Sequence, residues 1–202
     1  MRRSASVFVV VLLAAALVAS AAGATRLKRH TVPGQGVFLS APPTWVVIDG
    51  RLPASVVDRI ADENPQLAPF IANLKSSPAK FIAIDPDVRL GFATNVNVVV
   101  TPVPAYLTFA TYRAALTNEL RVLTHGQRIG QRVLKINGAK AIRVSYRLRI
   151  RLGRSFRVQT LQYAFLRRNR SVVITYSTLP LLVGRYGRTF AASAATIRFS
   201  GP

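Results

Sequence analysis

Cysteine is absent from the 202 residues, and carboxylates are scarce: seven Asp and Glu stand against 28 Lys and Arg, a formal net charge of +21. Without thiols the chain forms no disulfide, iron–sulfur site or Cys-ligated zinc centre. With His30 and His125 as its only histidines, a His-based metal site would need carboxylates to complete it. Acid is equally short for catalysis. A glycosidase needs two facing carboxylates, and outside the stretch holding Asp58, Asp62 and Glu63 there remain Asp49, Asp85, Asp87 and Glu119. A Ser-His-Asp hydrolase lacks its Gly-x-Ser-x-Gly elbow, and nucleotide chemistry lacks a glycine-rich phosphate loop. What the chain does have is apolar residues, 50% of the total. That excludes wholesale disorder and suffices for one core, at a length that suits one domain.

Arg2 and Arg3 precede an uncharged apolar run from Val7 to Val18, which gives way to small residues up to Ala24. This is the pattern of a secretory signal peptide over residues 1–24. Ala22 and Ala24 fit small-x-small cleavage with a mature start at Thr25, and Ala19 and Ala21 offer a second site. Val7 to Ala24 also reaches the lower limit for a membrane span, so an uncleaved anchor is the alternative. In either case the rest of the chain is expected to be extracytoplasmic, secreted or facing the envelope. Residues 25–35, with Arg26, Lys28, Arg29, Pro33 and Gly34, read as a solvated linker. Residues 36–202 read as a single domain.

Pro42-Pro43 separates two short apolar runs, Val37 to Leu39 and Trp45 to Ile48, and so breaks a pair of strands. Trp45 at the start of the second run is expected in the core. Apolar residues from Val56 to Leu74 follow helical spacing interrupted at Pro65 and Pro69, which predicts two short helices. Strands are predicted at Phe81 to Ile84 and Asn95 to Thr101, where Asn95 and Asn97 share a face and are expected in cross-strand hydrogen bonds. Asp85-Pro86-Asp87 reads as a turn. Thr108 is a plausible N-cap for a helix with Phe109, Tyr112, Leu116, Leu120 and Leu123 on one face, ended by Gly126 with His125 as a C-terminal cap.

Asn137-Gly138 is the strongest hairpin signal, joining a strand from Gln131 to Ile136 with one from Ala139 to Leu152. In the second strand Ile142, Val144, Tyr146, Leu148, Ile150 and Leu152 alternate with Arg143, Ser145, Arg147, Arg149 and Arg151. Gly153-Arg154-Ser155 is expected to turn into a partner from Phe156 to Leu166, followed by a strand from Val172 to Ser177, a helix from Val183 to Ala195 and a last strand at Ile197 to Phe199. The fold class this implies is α+β, an antiparallel meandering sheet packed with helices.

The order of features resembles the PsbP-like superfamily, including DcrB-like and LpqN-like bacterial envelope proteins. The resemblance rests on the opening Gly36 to Trp45, a valine strand ending in Thr101, a following helix with Phe109 and Tyr112, Ile136 to Ala141 beginning a hairpin, and a terminal helix leading to Ile197-Arg198-Phe199. It implies an antiparallel sheet between helical layers, an α/β/α sandwich, in a non-enzymatic binding or accessory protein. No catalytic, cofactor or metal residue carries over, and none is expected. A secreted hydrolase without recognisable motifs is the alternative.

Charge is unevenly divided. From Thr25 to Glu119 nine basic residues face seven acidic ones, whereas from Leu120 to Pro202 seventeen basic residues face none. Mutation bias toward Arg explains the excess of Arg over Lys but not a carboxylate-free half. Arg143, Arg147, Arg149 and Arg151, extended by Arg154 and Arg157, are therefore the candidate anion-binding residues. The expected partners are acidic lipid head groups, phosphate-bearing wall polymer or an envelope protein; export argues against nucleic acid.

Overall fold

A computed structural model describes residues 26–49, 53–74, 78–152 and 154–200, without the side chains of 73, 74, 152 and 154. The signal peptide expected over 1–24 lies outside the described residues. Seven strands form one antiparallel sheet in the order β3-β4-β5-β9-β8-β7-β6, and β1, β2 and β10 form a second, three-stranded sheet. The strands are β1 (Lys28–Val32), β2 (Val37–Ala41), β3 (Val46–Asp49), β4 (Ala79–Ile84), β5 (Asn95–Pro102), β6 (Gly130–Ile136), β7 (Ala139–Leu152), β8 (Arg154–Arg167), β9 (Arg170–Thr178) and β10 (Arg198–Phe199). The helices are α1 (Ala54–Glu63), α2 (Ala68–Leu74), α3 (Phe109–Leu123) and α4 (Val183–Ala195). Among the described residues no helix is long and apolar enough to cross a membrane.

Local chemistry sets most of these boundaries. Thr108 Oγ1 accepts from Thr111 N at 3.1 Å and opens α3. His125 and Gly126, both at positive φ, close it. Asn137 (φ 46°) and Gly138 (φ 82°) form the two-residue turn between β6 and β7. The turn also reaches outward, since Asn137 Nδ2 donates to Ala195 O at 2.9 Å and Ile197 O at 2.8 Å, fastening the hairpin to the end of α4.

The strict alternation along β7 buries its apolar row. Ile142, Val144 and Tyr146 pack with Ala164 under Tyr112, Leu116 and Leu120 of α3. On the same side of the sheet Ile82, Ile84, Phe156 and Val158 pack under Val57, Phe70 and Ile71 of α1 and α2. The opposite side, built from residues such as Val98, Tyr163, Phe165, Ile174 and Tyr176, is covered by Phe190 and Ala194 of α4 together with Val37 and Leu39 of the small sheet. Burying each such side chain contributes roughly 1.5–3 kcal/mol. Trp45 is buried beside Tyr186, its ring edge-on at 6.4 Å.

Two expectations are corrected. Within the stretch 25–35, expected as a linker, Lys28–Val32 form β1, which runs antiparallel to β2 with His30 opposite Leu39 and Val32 opposite Val37. Its polar composition belongs to an edge strand, and Val32 is fully buried. Arg154 and Ser155, expected in a turn, belong to β8, which begins at Arg154 opposite Leu152.

His30, expected in solvent, lies against Phe81 with ring centroids 5.5 Å apart, and its Nε2 is buried without a partner. Burial, reinforced by Lys28, holds its pKa below the ordinary 6.5. The unfolded chain therefore takes up a proton near pH 6.5 that the folded chain refuses, and stability falls as pH drops from that value toward the lowered one. Thermal melts of the wild type at about pH 7.5 and about pH 5 should show this loss, and His30→Phe should reduce it. Asp87, whose pKa is lowered by Arg89 and then Arg185, adds its own loss only as pH falls below 3.8.

In the first turn of α4 Tyr186 donates to Asp85 Oδ2 at 2.6 Å, both residues being buried. Burial first, then Asp85, pushes the Tyr186 pKa up to about 12, so the phenol stays a donor. Tyr186→Phe leaves that carboxylate oxygen unmet and is expected to cost about 1–3 kcal/mol in urea unfolding.

Candidate anion-binding face

The arginines of β7 stand on the α4 side of the sheet, as their alternation with Ile142, Val144 and Tyr146 requires. Register places Arg143 opposite Arg132 of β6. It places Arg147 opposite Gln159, Arg149 opposite Arg157 and Arg151 opposite Ser155 of β8. Helix α4 and the small sheet cover this side over β5, β9 and the portions of β7 and β8 holding Ala139, Ala141, Tyr163 and Phe165. They stop short of the far ends of the hairpin. Arg147, Arg149, Arg151 and Arg157 are exposed, and Arg143 is half-buried.

One position departs from expectation. Arg154 stands opposite Leu152, in the alternate row from Arg157. Arg154 belongs to the strand and not to the turn, three positions before Arg157, and residues an odd number apart on a strand face opposite ways. Its side chain lies outside the described residues.

Between α4 and the sheet the face hollows into a cleft of about 340 Å³, lined by Arg132, Arg143, Ser145, Gln159 and Tyr163 from the sheet and Val183 from the start of α4. Gln159 organises it. Its Oε1 accepts from Arg147 Nε at 3.0 Å, while its Nε2 donates to Ser145 Oγ at 3.1 Å and Tyr146 O at 3.0 Å. Arg147 is thereby held by its Nε, its terminal nitrogens without a hydrogen bond among the described residues, and Ser145, already accepting, keeps its hydroxyl proton to donate. Arg132, Arg143 and Arg147 make no ion pair among the described residues, whereas Arg89 and Arg185 are bridged by Asp87. The lining thus offers donors and positive charge.

Like charges directly opposite each other on a sheet are destabilising, yet this side carries Arg132 against Arg143, Arg149 against Arg157 and Arg167 against Arg170. The last pair borders a second basic cleft of about 250 Å³ with Arg168, Gly34 and Ser200. Arg132 is absent from the candidates expected from sequence, although the Asn137-Gly138 turn sets its partner by counting outward from Ile136 and Ala139. Arg167 and Arg170 are absent from them too, because a polar stretch between two apolar runs carries the pattern of a turn and not of a cross-strand pair.

The remaining candidates are dispersed. His125 is exposed at the end of α3. Asp85 Oδ1 accepts from Asp87 N at 2.9 Å, a turn closed on itself. Asn95 Nδ2 bonds locally to Ala93 O at 3.0 Å instead of across the strands. No group of three His, Asp or Glu that could hold a metal occurs among the described residues.

An antiparallel sheet with this order and helices on both sides is the PsbP-like α+β fold. The solution structure of cyanobacterial PsbP (CyanoP) from Synechocystis sp. PCC 6803 is similar with a TM-score of 0.54 at 13% identity, over 89% of this chain and 95% of that one. The crystal structure of LpqN, involved in cell envelope biogenesis of Mycobacterium tuberculosis, is similar with a TM-score of 0.52 at 10% identity, over 87% of this chain and 92% of that one. At these identities the likeness is one of fold. No protein-family model matches the sequence, and no curated protein sequence matches it.

Proposed function

We propose that the chain is an extracytoplasmic, non-enzymatic binding or accessory domain that holds anionic envelope material on the arginine-bearing side of β6, β7 and β8. The observation that carries this reading is the row Arg143, Arg147, Arg149 and Arg151 with Arg132 and Arg157 set against it, uncompensated by any carboxylate after residue 119. Guanidinium groups so placed repel one another and are relieved by a bound polyanion or by salt. A fold shared with a protein of cell envelope biogenesis supports the location, as does the apolar run behind Arg2 and Arg3.

Each basic residue held near an anionic surface contributes about 1 kcal/mol, so six together give a dissociation constant of tens of micromolar without an enclosed pocket. Sedimentation with anionic vesicles, neutral vesicles and isolated phosphate-bearing wall polymer across a salt series tests the reading. Binding to an anionic partner that weakens steeply with salt is expected. Binding indifferent to salt, or to neither anionic partner, overturns it.

A further inference from the structure

The basic side ends in an apolar edge. Leu181 is 68% exposed, Leu90 65% and Val183 40%. Leu90 and Leu181 border one shallow concavity of about 500 Å³ with Phe156, Leu179 and Arg157, and Val183 borders the cleft that holds Arg143. Apolar tips and arginines therefore form one continuous surface. Leu90 sits at the apex of a tight turn in which Arg89 N and Phe92 N bond each other's carbonyls at 3.1 and 2.9 Å. Its φ is +50° and that of Gly91 is +72°. A turn of this kind favours Asn-Gly. A leucine there is strained and faces water, so neither backbone preference nor core packing accounts for it. The nearby carboxylate, Asp87, is occupied by Arg89 and Arg185 at 2.8 Å each.

We infer that this edge docks on an anionic lipid bilayer, with Leu90, Leu181 and Val183 entering the boundary between head groups and acyl chains while Arg143, Arg149 and Arg157 hold lipid phosphates. The inference rests on the reading of the arginine side as an anion-binding surface and selects its partner. Charge complementarity favours the bilayer, because the guanidinium row is donor-only and the apolar edge lies beside it. Protruding turn tips suit a fluid interface, which moulds around them without a matching pocket. Insertion makes the attachment partly hydrophobic, so a fraction of it outlasts the salt that screens the arginines.

Because the chain has no cysteine, one introduced thiol carries a unique environment-sensitive label. Leu90→Cys and Leu181→Cys, labelled, should shift to the blue and be quenched by a lipid-borne nitroxide on vesicles of phosphatidylglycerol and phosphatidylcholine. Val122→Cys, on the exposed face of α3, should do neither. Leu90→Asn combined with Leu181→Ser should weaken vesicle binding about a hundredfold, roughly tenfold for each leucine. Leu90→Asn alone should raise the melting temperature by about 2–4 °C by relieving the turn, so its loss of binding is not a loss of folding. Binding without a shift at either label, full binding by the double variant, or a shift that appears without vesicles as protein concentration rises overturns the inference, the last in favour of self-association. If salt-sensitive binding to vesicles or wall polymer persists in those cases, the broader anion-binding reading stands. If no anionic partner binds, both fall.

Discussion

Tyr146→Asp is expected to unfold the domain, whereas Arg147→Asp, one residue along the same strand, leaves it folded. Tyr146 is 6% exposed and packs under α3, and its hydroxyl donates to Gln162 Oε1 at 2.7 Å. Burial, with a smaller contribution from Glu119, pushes its pKa up to about 12, so the native side chain is neutral. Aspartate at this position loses the ring's packing, about 3–5 kcal/mol, and buries a carboxylate within reach of the negative charge of Glu119, several kcal/mol more. Together these approach the whole stability of an ordinary domain. Arg147 is exposed, bonded through Nε to Gln159, and borders one hollow with Arg128. An acid there costs at most about 1 kcal/mol. Far-UV circular dichroism and urea unfolding of both variants check the prediction, and equal loss in the two would refute the register of β7.

The second large effect is on binding. Replacing Arg143, Arg147, Arg149 and Arg157 together by Ser should lower affinity for anionic vesicles or wall polymer about a thousandfold, at about 1 kcal/mol for each residue. Folding should survive, because the change removes the opposed pair Arg149 and Arg157 and, among the described residues, no ion pair. The control is Arg59, Arg113 and Arg121 replaced by Ser on α1 and α3, exposed and belonging to the other side of the sheet. Net charge falls by three in that variant, yet binding should change less than tenfold. A control as damaged as the four-residue variant would show that total charge, and not this surface, draws the anion.

Much of the candidate surface is legible in the amino-acid order. The period-two pattern from Ala139 to Leu152 sets Arg143, Arg147, Arg149 and Arg151 on one side because strand residues alternate, and Asn137-Gly138 sets the partner strand. The turn after β7 is less informative, since one glycine beside Arg and Ser does not dictate loop length, and Arg154 and Ser155 fall in β8 instead of the turn. Residues 25–35 mislead for a different reason. An edge strand carries charge on its open side, so Lys28, Arg29 and His30 resemble a linker until Val32 and the pairing with β2 are seen.

By itself the sequence determined what depends on a few neighbouring residues: the helix cap at Thr108, the breaks at Pro42-Pro43 and Pro65, the two faces of β7, and a C-terminal half without acid. These follow from dihedral preference, hydrophobic period and composition, which act locally. Tertiary structure alone decided that β9 lies between β5 and β8, that α4 covers the arginine side only in part, and that Leu90 and Leu181 share an edge with Arg157. Those relations join residues distant in the chain, as far as 91 positions for Leu90 and Leu181. They arise from burying both sides of one sheet against helices of limited length, a condition on the whole fold that no local pattern expresses.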